Sequence, residues 1–204
     1  MTLDTLRTTT PAPPSKGERT RQALLEAAIL RFSADGLRGV ALSDVARDVG
    51  VTPAAVYAYF PGKEALFTAA VDADADALVE VALDAVERGR FTGDWGELIQ
   101  LLLDSLPDHP LARRVLSGLE PESTERLLDI PALARLRAQL AELIASDQDD
   151  GAVRGDVDPT PLADGLVTIV LALLIGVLQT GGRPQPERAP GVIAVFEAAL
   201  RPPR

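Results

Sequence analysis

The chain has 204 residues, of which 47% are hydrophobic and 25% charged, a balance typical of a globular protein with a sizeable core. It contains no cysteine, which excludes disulfides and thiolate metal sites and is compatible with a reducing cytoplasm. The formal net charge of -10 argues against a general nucleic-acid binder, but residues 1–70 carry eight basic and seven acidic side chains, so local DNA binding stays possible.

The first elements in chain order are a tail and two helices. Residues 1–15 are rich in Thr and Pro and lack a signal-peptide pattern, so we expect a disordered tail and a cytoplasmic protein. Apolar residues at helical spacing predict an amphipathic helix over 21–36, which the glycine at its end would stop. A second, short helix is predicted over 43–49, closed by Gly50.

A third helix begins directly after that glycine turn. Thr52 is a good N-cap, and Pro53 occupies the first helical position, where proline is best tolerated. Val51 and Val56 occupy the two positions of a hydrophobic staple, and residues 60–62 (FPG) end the helix after about two turns. Two short helices joined by a glycine turn predict a helix-turn-helix.

The remainder of the chain shows helical patterns and no sustained strand alternation, so the predicted fold class is all-α. A long helix is expected over 63–90, and further helices over 95–106, 110–119, 123–128, 132–146, 161–180 and 190–200. The polar segments 147–158 and 181–190 are predicted loops. The apolar run 165–178 is shorter than the about 20 residues that a membrane crossing needs, which favours a buried or dimer-forming helix.

Residues 36–66 (GLRGVALSDVARDVGVTPAAVYAYFPGKEAL) resemble the DNA-binding segment of the TetR/AcrR repressors, and residues 16–32 match that family's first helix. The resemblance implies a three-helix N-terminal DNA-binding domain over residues 16–62, here called the head. It also implies a larger helical ligand-binding and dimerisation domain over residues 63–204, here called the body. The sequence departs from the family at Ala41, where members usually have a threonine that caps the second helix.

The resemblance also implies that the third helix enters the major groove of duplex DNA. It assigns the base-facing positions to Pro53, Ala54, Ala55 and Tyr57 and the phosphate contacts to Ser43, Thr52, Tyr59 and Lys63. The base-facing set has no Arg, Asn or Gln, the side chains that usually read base edges. We therefore expect weak direct readout and a specificity that depends on DNA shape.

For the body, the resemblance implies a homodimer through 161–180 and 190–200, which would set two heads about one DNA turn apart on a roughly palindromic operator. The predicted function is ligand-responsive regulation, most simply a repressor released by a small, mostly apolar molecule, with no cofactor and no membrane. Candidate ligand-binding residues are Trp95, Leu98, Leu102, Arg113, Leu116, Leu140, Val170 and Leu174. Trp95 would be an aromatic wall and Arg113 a polar anchor.

An enzyme is the first alternative. His109 is the only histidine, and Ser105 and Ser117 are near it in sequence, so a hydrolase could assemble its catalytic set only through the fold. A Gly-x-Ser-x-Gly elbow is absent from the sequence, which favours a His109 that lies on the surface or lines a loop.

The second alternative is a helical dimeric scaffold protein that does not bind an operator. A calcium site is not expected at the alternating Asp72, Asp74 and Asp76, because the glycine and glutamate of a calcium loop are missing. The pattern favours a solvated helix face there, and no metal is predicted.

Overall fold

A computed structural model describes residues 15–88, 95–181 and 189–202. Throughout these ranges the regular elements are helices, with no strand, which confirms the all-α class. Most of the predicted tail lies outside the described residues. Ser15, which we had assigned to the tail, instead caps the first helix by accepting the Glu18 N–H.

The head contains α1 (Lys16–Gly39), α2 (Leu42–Val49) and α3 (Pro53–Tyr57). The regular course of α1 breaks where the sequence predicts its end, because Gly36 has φ 71° and ψ 174°, and one more turn follows. Apolar residues from all three helices are buried together, namely Leu24, Ala28, Phe32, Val45, Ala46 and Val56. The head is therefore a small helical unit with its own packed centre.

The body contains α4 (Lys63–Glu87), α5 (Trp95–Ser105), α6 (Pro110–Leu116), α7 (Pro131–Asp149), α8 (Pro159–Gln179) and α9 (Ala189–Leu200). The helix predicted over 123–128 is wrong, because this region forms two 3-10 segments, Pro121–Ser123 and Glu125–Asp129. Ile130 is extended (φ −66°, ψ 142°) before Pro131, so a helix over this segment cannot continue into α7. The predicted loop 147–158 starts later, since α7 runs to Asp149, and most of 181–190 lies outside the described residues.

Helix α4 joins head and body. Its first half packs against α1, where the rings of Phe67 and Phe32 meet edge to face at 5.0 Å between centroids. Its second half packs against α5, α6 and α7. The buried residues of head and body form one continuous apolar cluster, so a displacement of α4 in the body has to be accommodated in the head.

Helix α8 is longer than the apolar run that predicted it. By length and composition alone its 21 residues could cross a bilayer, so the expectation that the segment is too short is wrong. Such a helix also occurs in the cores of soluble proteins, and one example is weak evidence for a membrane. Leu166, Val170 and Leu174 pack into the core, whereas only 28% of the most apolar window of the helix is buried.

Candidate nucleic-acid interface and body cavity

The turn between α2 and α3 is built on Gly50. This residue adopts a left-handed conformation (φ 74°, ψ 30°) that a side chain would disfavour. Its N–H donates to the Arg47 carbonyl at 3.2 Å, and the Val51 N–H donates to the Ala46 carbonyl at 2.9 Å. The last carbonyls of α2 are thereby satisfied, and the chain is redirected into α3.

Helix α3 begins as the sequence predicts. The Thr52 hydroxyl accepts the Ala55 N–H at 3.2 Å, and Pro53 is the first helical residue. Val56 is fully buried in the head, while Phe60 is 4% exposed beneath the Arg21 guanidinium, which lies 5.2 Å from the ring centroid. This cation–π contact fixes the segment that follows α3 to α1. No local sequence pattern marks the role of Arg21, because its contact with Phe60 spans 39 positions.

The predicted base-facing residues form the outward surface of α3. Pro53 and Ala54 are exposed, Ala55 is half-buried, and Tyr57 is the most prominent apolar surface on the helix, with 57% exposure. None of the four belongs to the buried core of the head. The structure thus leaves this surface available to a partner.

The predicted phosphate contacts flank that surface in the chain. Ser43 on α2 and Thr52 are exposed, whereas Tyr59 and Lys63 are half-buried. A Cβ at Gly17 would lie 4.0 Å from the Tyr59 hydroxyl oxygen, which places Tyr59 beside the first turn of α1. Lys63 is the first residue of α4, and the N-cap of that helix, Gly62, provides no side-chain cap.

Three aspartates on α4 attach it to different parts of the body, so the predicted solvated helix face is wrong. The Asp72 carboxylate accepts two hydrogen bonds from the Arg126 guanidinium, at 2.8 and 2.7 Å. One Asp74 oxygen accepts the N–H groups of Leu111 and Ala112, both at 2.8 Å. Asp76 accepts the Ala132 N–H at 3.2 Å. Asp74 and Asp76 therefore cap α6 and α7 from a distant helix.

His109 is paired with Asp74 and lies neither on the open surface nor in a free loop. Its Nδ1 atom is 3.5 Å from the Asp74 carboxylate, and the two side chains are 14% and 5% exposed. Burial raises the pKa of the Asp74 carboxyl, while the Ala112 N–H and His109 oppose that rise. The hydroxyls of Ser105 and Ser117 donate to backbone carbonyls in their own helices, so neither is aligned as a nucleophile for His109.

A contact between head and body surrounds Gly36. The Arg114 guanidinium pairs with Glu120 at 3.0 Å and donates to the Ser33 carbonyl of α1 at 3.4 Å. A Cβ at Gly36 would lie 2.6 Å from both Arg114 Nη2 and Glu120 Oε1. Gly36 is thus required by its backbone conformation, and an added Cβ would also oblige the ends of the Arg114 and Glu120 side chains to shift.

The body contains an apolar cavity of about 60 Å³ between α4, α5, α6, α7 and α8. Seven of the predicted ligand-binding residues line it, namely Trp95, Leu98, Leu102, Leu116, Leu140, Val170 and Leu174. Arg113 does not line the cavity, and its side chain is exposed to solvent. The expectation that Arg113 is a polar anchor is therefore wrong, and the described lining is aliphatic except for the indole of Trp95. The Trp95 ring stacks on the Phe196 ring of α9, with 4.9 Å between the ring centroids.

Residues 24–70 match the family model described as bacterial regulatory proteins, tetR family. The HTH-type transcriptional regulator YdgC of Bacillus subtilis (strain 168) is 26% identical over 173 residues, which cover 82% of this chain and 85% of YdgC. The match to the family model coincides with the helix-turn-helix and the start of α4.

Solved structures agree over nearly the whole chain. A TetR-family transcriptional regulator from Mesorhizobium loti has a TM-score of 0.67 at 18% identity, covering 92% of this chain and 100% of that one. NalD of Pseudomonas aeruginosa, the secondary repressor of the MexAB-OprM multidrug efflux pump, has a TM-score of 0.58 at 24% identity, covering 92% of this chain and 98% of NalD. The arrangement of head and body is thus a known fold.

Proposed function

The chain is a transcriptional regulator of the tetR family with a DNA-binding helix-turn-helix, rather than an enzyme, and from this premise we propose that it is a cytoplasmic repressor. It binds a roughly palindromic operator as a homodimer, and a small, mostly apolar molecule in the body releases it. The observation that carries the proposal is a rigidly capped α3 whose outward residues are free of the core.

The proposed DNA contacts divide by chemistry. Pro53, Ala54 and Ala55 present small apolar groups suited to thymine methyls, and the Tyr57 hydroxyl can make one hydrogen bond to a base edge. Because the helix carries no Arg, Asn or Gln, most of the specificity comes from DNA shape. Ser43, Thr52 and Tyr59 contact the phosphates on either side.

Lys63 is the proposed charged phosphate contact. A cation in the first turn opposes the helix dipole, and Gly62 offers no side-chain oxygen to the free N–H groups of α4. A DNA phosphate beside Lys63 would accept those N–H groups and neutralise the ammonium. The feature that costs free energy in the isolated protein thus becomes favourable on DNA.

Two copies pair through α8 and α9 in this proposal. The outer side of α8 exposes Ile169 (42%) together with the small residues Ala172 and Gly176. Among the α9 residues whose burial is described, only Phe196 is buried, and Val195 is 60% exposed. Apart from Glu197, this helix has no charged residue. Apolar side chains are exposed on both helices, which suits a twofold interface. Such an interface would also account for the membrane-like composition of α8.

Helix α4 is the proposed link between effector and DNA. Ala75, Leu78, Val79 and Ala82 of this helix line the cavity, and its first residue is Lys63. A ligand that widens the cavity moves α4 and, through Asp74, α6, whose Arg114 contacts the head. The effector then favours a spacing of the two heads that does not fit the operator.

DNA fragments retained by the purified protein are sequenced to define the operator, and affinity is then measured by fluorescence anisotropy at several salt concentrations. Lys63→Ala is expected to weaken all duplexes about equally and to lower the salt slope by about one. Tyr57→Ala is expected to change the preferred sequence. Arg135→Ala, which removes an exposed cation from the body, is the matched control and should bind like the unmodified protein.

Retention of no palindromic fragment would contradict the repressor proposal and favour the scaffold alternative. An unchanged salt slope for Lys63→Ala, with a normal Arg135→Ala, would overturn the phosphate assignment alone.

A further inference from the structure

The lining of the body cavity lacks any group that could hold a charge. Among the described residues its walls are aliphatic side chains and one indole, with no acidic, basic, hydroxyl or amide side chain. Arg114, the cation nearest to Leu116 in sequence, is engaged by Glu120, and Arg113 is exposed to solvent. A charged ligand in this cavity therefore finds no side chain in the described lining with which it could form an ion pair.

The polar groups of α4 do not change this conclusion. Asp72, Asp74 and Asp76 are engaged by Arg126, the N-terminus of α6 and the N-terminus of α7. Asp74 and Asp76 flank Ala75, which lines the cavity, so the charges nearest to this residue along α4 are carboxylates that already have partners. A ligand anion would be repelled by it, and a ligand cation would have to compete with existing hydrogen bonds.

We propose that the cavity is an effector site for an uncharged, hydrocarbon-like molecule, recognised by shape and burial without a hydrogen bond or ion pair. This inference rests on the proposed function of the body as an effector domain and specifies the chemical class of the effector. Transferring an ionised group into an unpartnered apolar site is strongly unfavourable, whereas each buried methylene strengthens binding about fourfold. The site thus selects neutral molecules over charged ones of the same shape.

The size of the cavity adds a mechanical consequence. About 60 Å³ is less than the roughly 150 Å³ of a cavity that holds benzene. A ligand of that size or larger enters only if the walls move apart, and α4 provides a stripe of wall residues from Ala75 to Ala82. Binding and displacement of α4 are therefore coupled in this site.

The test uses three molecules with one phenylbutyl body. n-Butylbenzene is neutral, 4-phenylbutyrate carries a carboxylate at the end of the chain, and 4-phenylbutylammonium carries a cation there. Trp95 lines the cavity and is the only tryptophan, so its fluorescence in the full-length protein reports binding directly. We expect saturable binding of n-butylbenzene and at least 100-fold weaker binding of both charged molecules. Equal or tighter binding of either charged molecule, or no binding of n-butylbenzene, would overturn the proposal.

Matched variants locate the binding site. Ala82→Leu fills the cavity from α4 and should abolish the response to n-butylbenzene, whereas Ala77→Leu, on the exposed side of the same helix, should keep it. Ala75→Leu fills the cavity about two turns earlier on α4 and replaces Ala82→Leu if circular dichroism shows Ala82→Leu to be unfolded. A response that survives in a folded cavity-filling variant would place the ligand elsewhere and overturn the assignment.

Operator binding is measured separately with the same molecules. If n-butylbenzene binds at Trp95 but does not weaken operator binding, the ligand class stands and the proposed release mechanism fails. If operator binding is lost without a Trp95 response, the effector site lies elsewhere and this inference fails.

Discussion

Two helices of the head and two helices of the body have their N-termini capped in different ways, while α8 of the body has a local cap, Asp158, which accepts the Thr160 N–H. In the head, α1 and α3 are capped by the residue that precedes each of them, Ser15 and Thr52. In the body, α6 and α7 receive Asp74 and Asp76 of α4, from 37 and 56 residues away. The head is therefore organised by local bonds that can survive its movement. The body is organised by bonds to α4, so displacing α4 alters the ends of two other helices.

The largest expected effect is at Asp74. Asp74→Ala leaves the buried N–H groups of Leu111 and Ala112 without an acceptor, and we expect the free energy of unfolding to fall by about 4 kcal/mol in urea titrations. Asp74→Asn keeps an oxygen at the same place and should lose much less. Equal losses in the two variants would mean that the carboxylate charge beside His109, and not the caps, is what matters.

The difference in stability between the unmodified protein and Asp74→Asn should depend on pH. Its raised pKa means that the folded state binds the proton more tightly than the unfolded chain. Stability therefore falls as the pH rises from about 4 through the raised value. Asp74→Asn lacks this proton, so its stability relative to the unmodified protein should improve with pH across that window.

The contrast between head and body explains how far the sequence could be read. The Thr52 cap, the Gly50 turn and the break in α1 at Gly36 are local signals, and the structure has each of them. The sequence predicts the cavity only through aliphatic residues that are indistinguishable from ordinary core residues, because nothing in a sequence marks empty space beside a buried leucine. Arg113 shows the limit of the prediction: the sequence predicts that it lies on a helix that lines the cavity, but not in which direction its side chain points.

The roles of the α4 aspartates could not be predicted for the same reason. Alternating acidic residues on a helix are usually solvated, and their partners here are backbone N–H groups and an arginine from distant segments. No sequence pattern records a bond between a side chain and a backbone group that only the tertiary fold brings close. Arg114, which joins α6 to the head, was missed on the same ground.

A second effect is expected at Gly36, where head and body touch. Gly36→Ala combines an unfavourable backbone conformation with a clash against Arg114 and Glu120, and we expect a loss of about 2–3 kcal/mol. Gly50→Ala has nearly the same φ, 74°, but its ψ of 30° lies in the left-handed region that other residues can adopt, whereas the ψ of 174° at Gly36 does not. With open space around the new Cβ as well, Gly50→Ala should lose only about 1 kcal/mol.

An Arg114→Ala background separates the two causes. If the contact contributes, Gly36→Ala should cost less once Arg114 is truncated, while Gly50→Ala should be unaffected. An unchanged cost would show that only the backbone conformation matters and that the approach of α6 is not a constraint on the head.

The smallest effect tests whether the helices of the head are capped locally, by comparing an N-cap residue that makes a side-chain hydrogen bond with one that makes none. Thr52 accepts the Ala55 N–H, whereas Ala41 precedes α2 in the same extended conformation (φ −103°, ψ 143°) with no side-chain cap. Thr52→Ala should lower the free energy of unfolding by about 1 kcal/mol, and Ala41→Ser should raise it by about 0.5–1 kcal/mol. Both are measured by urea unfolding without DNA, because Thr52 is also a proposed phosphate contact.

Since each cap serves only its own helix, the double variant should show the sum of the two changes. A strong departure from that sum would mean that α2 and α3 are not capped independently, and the head would then resemble the body in depending on contacts beyond its local sequence.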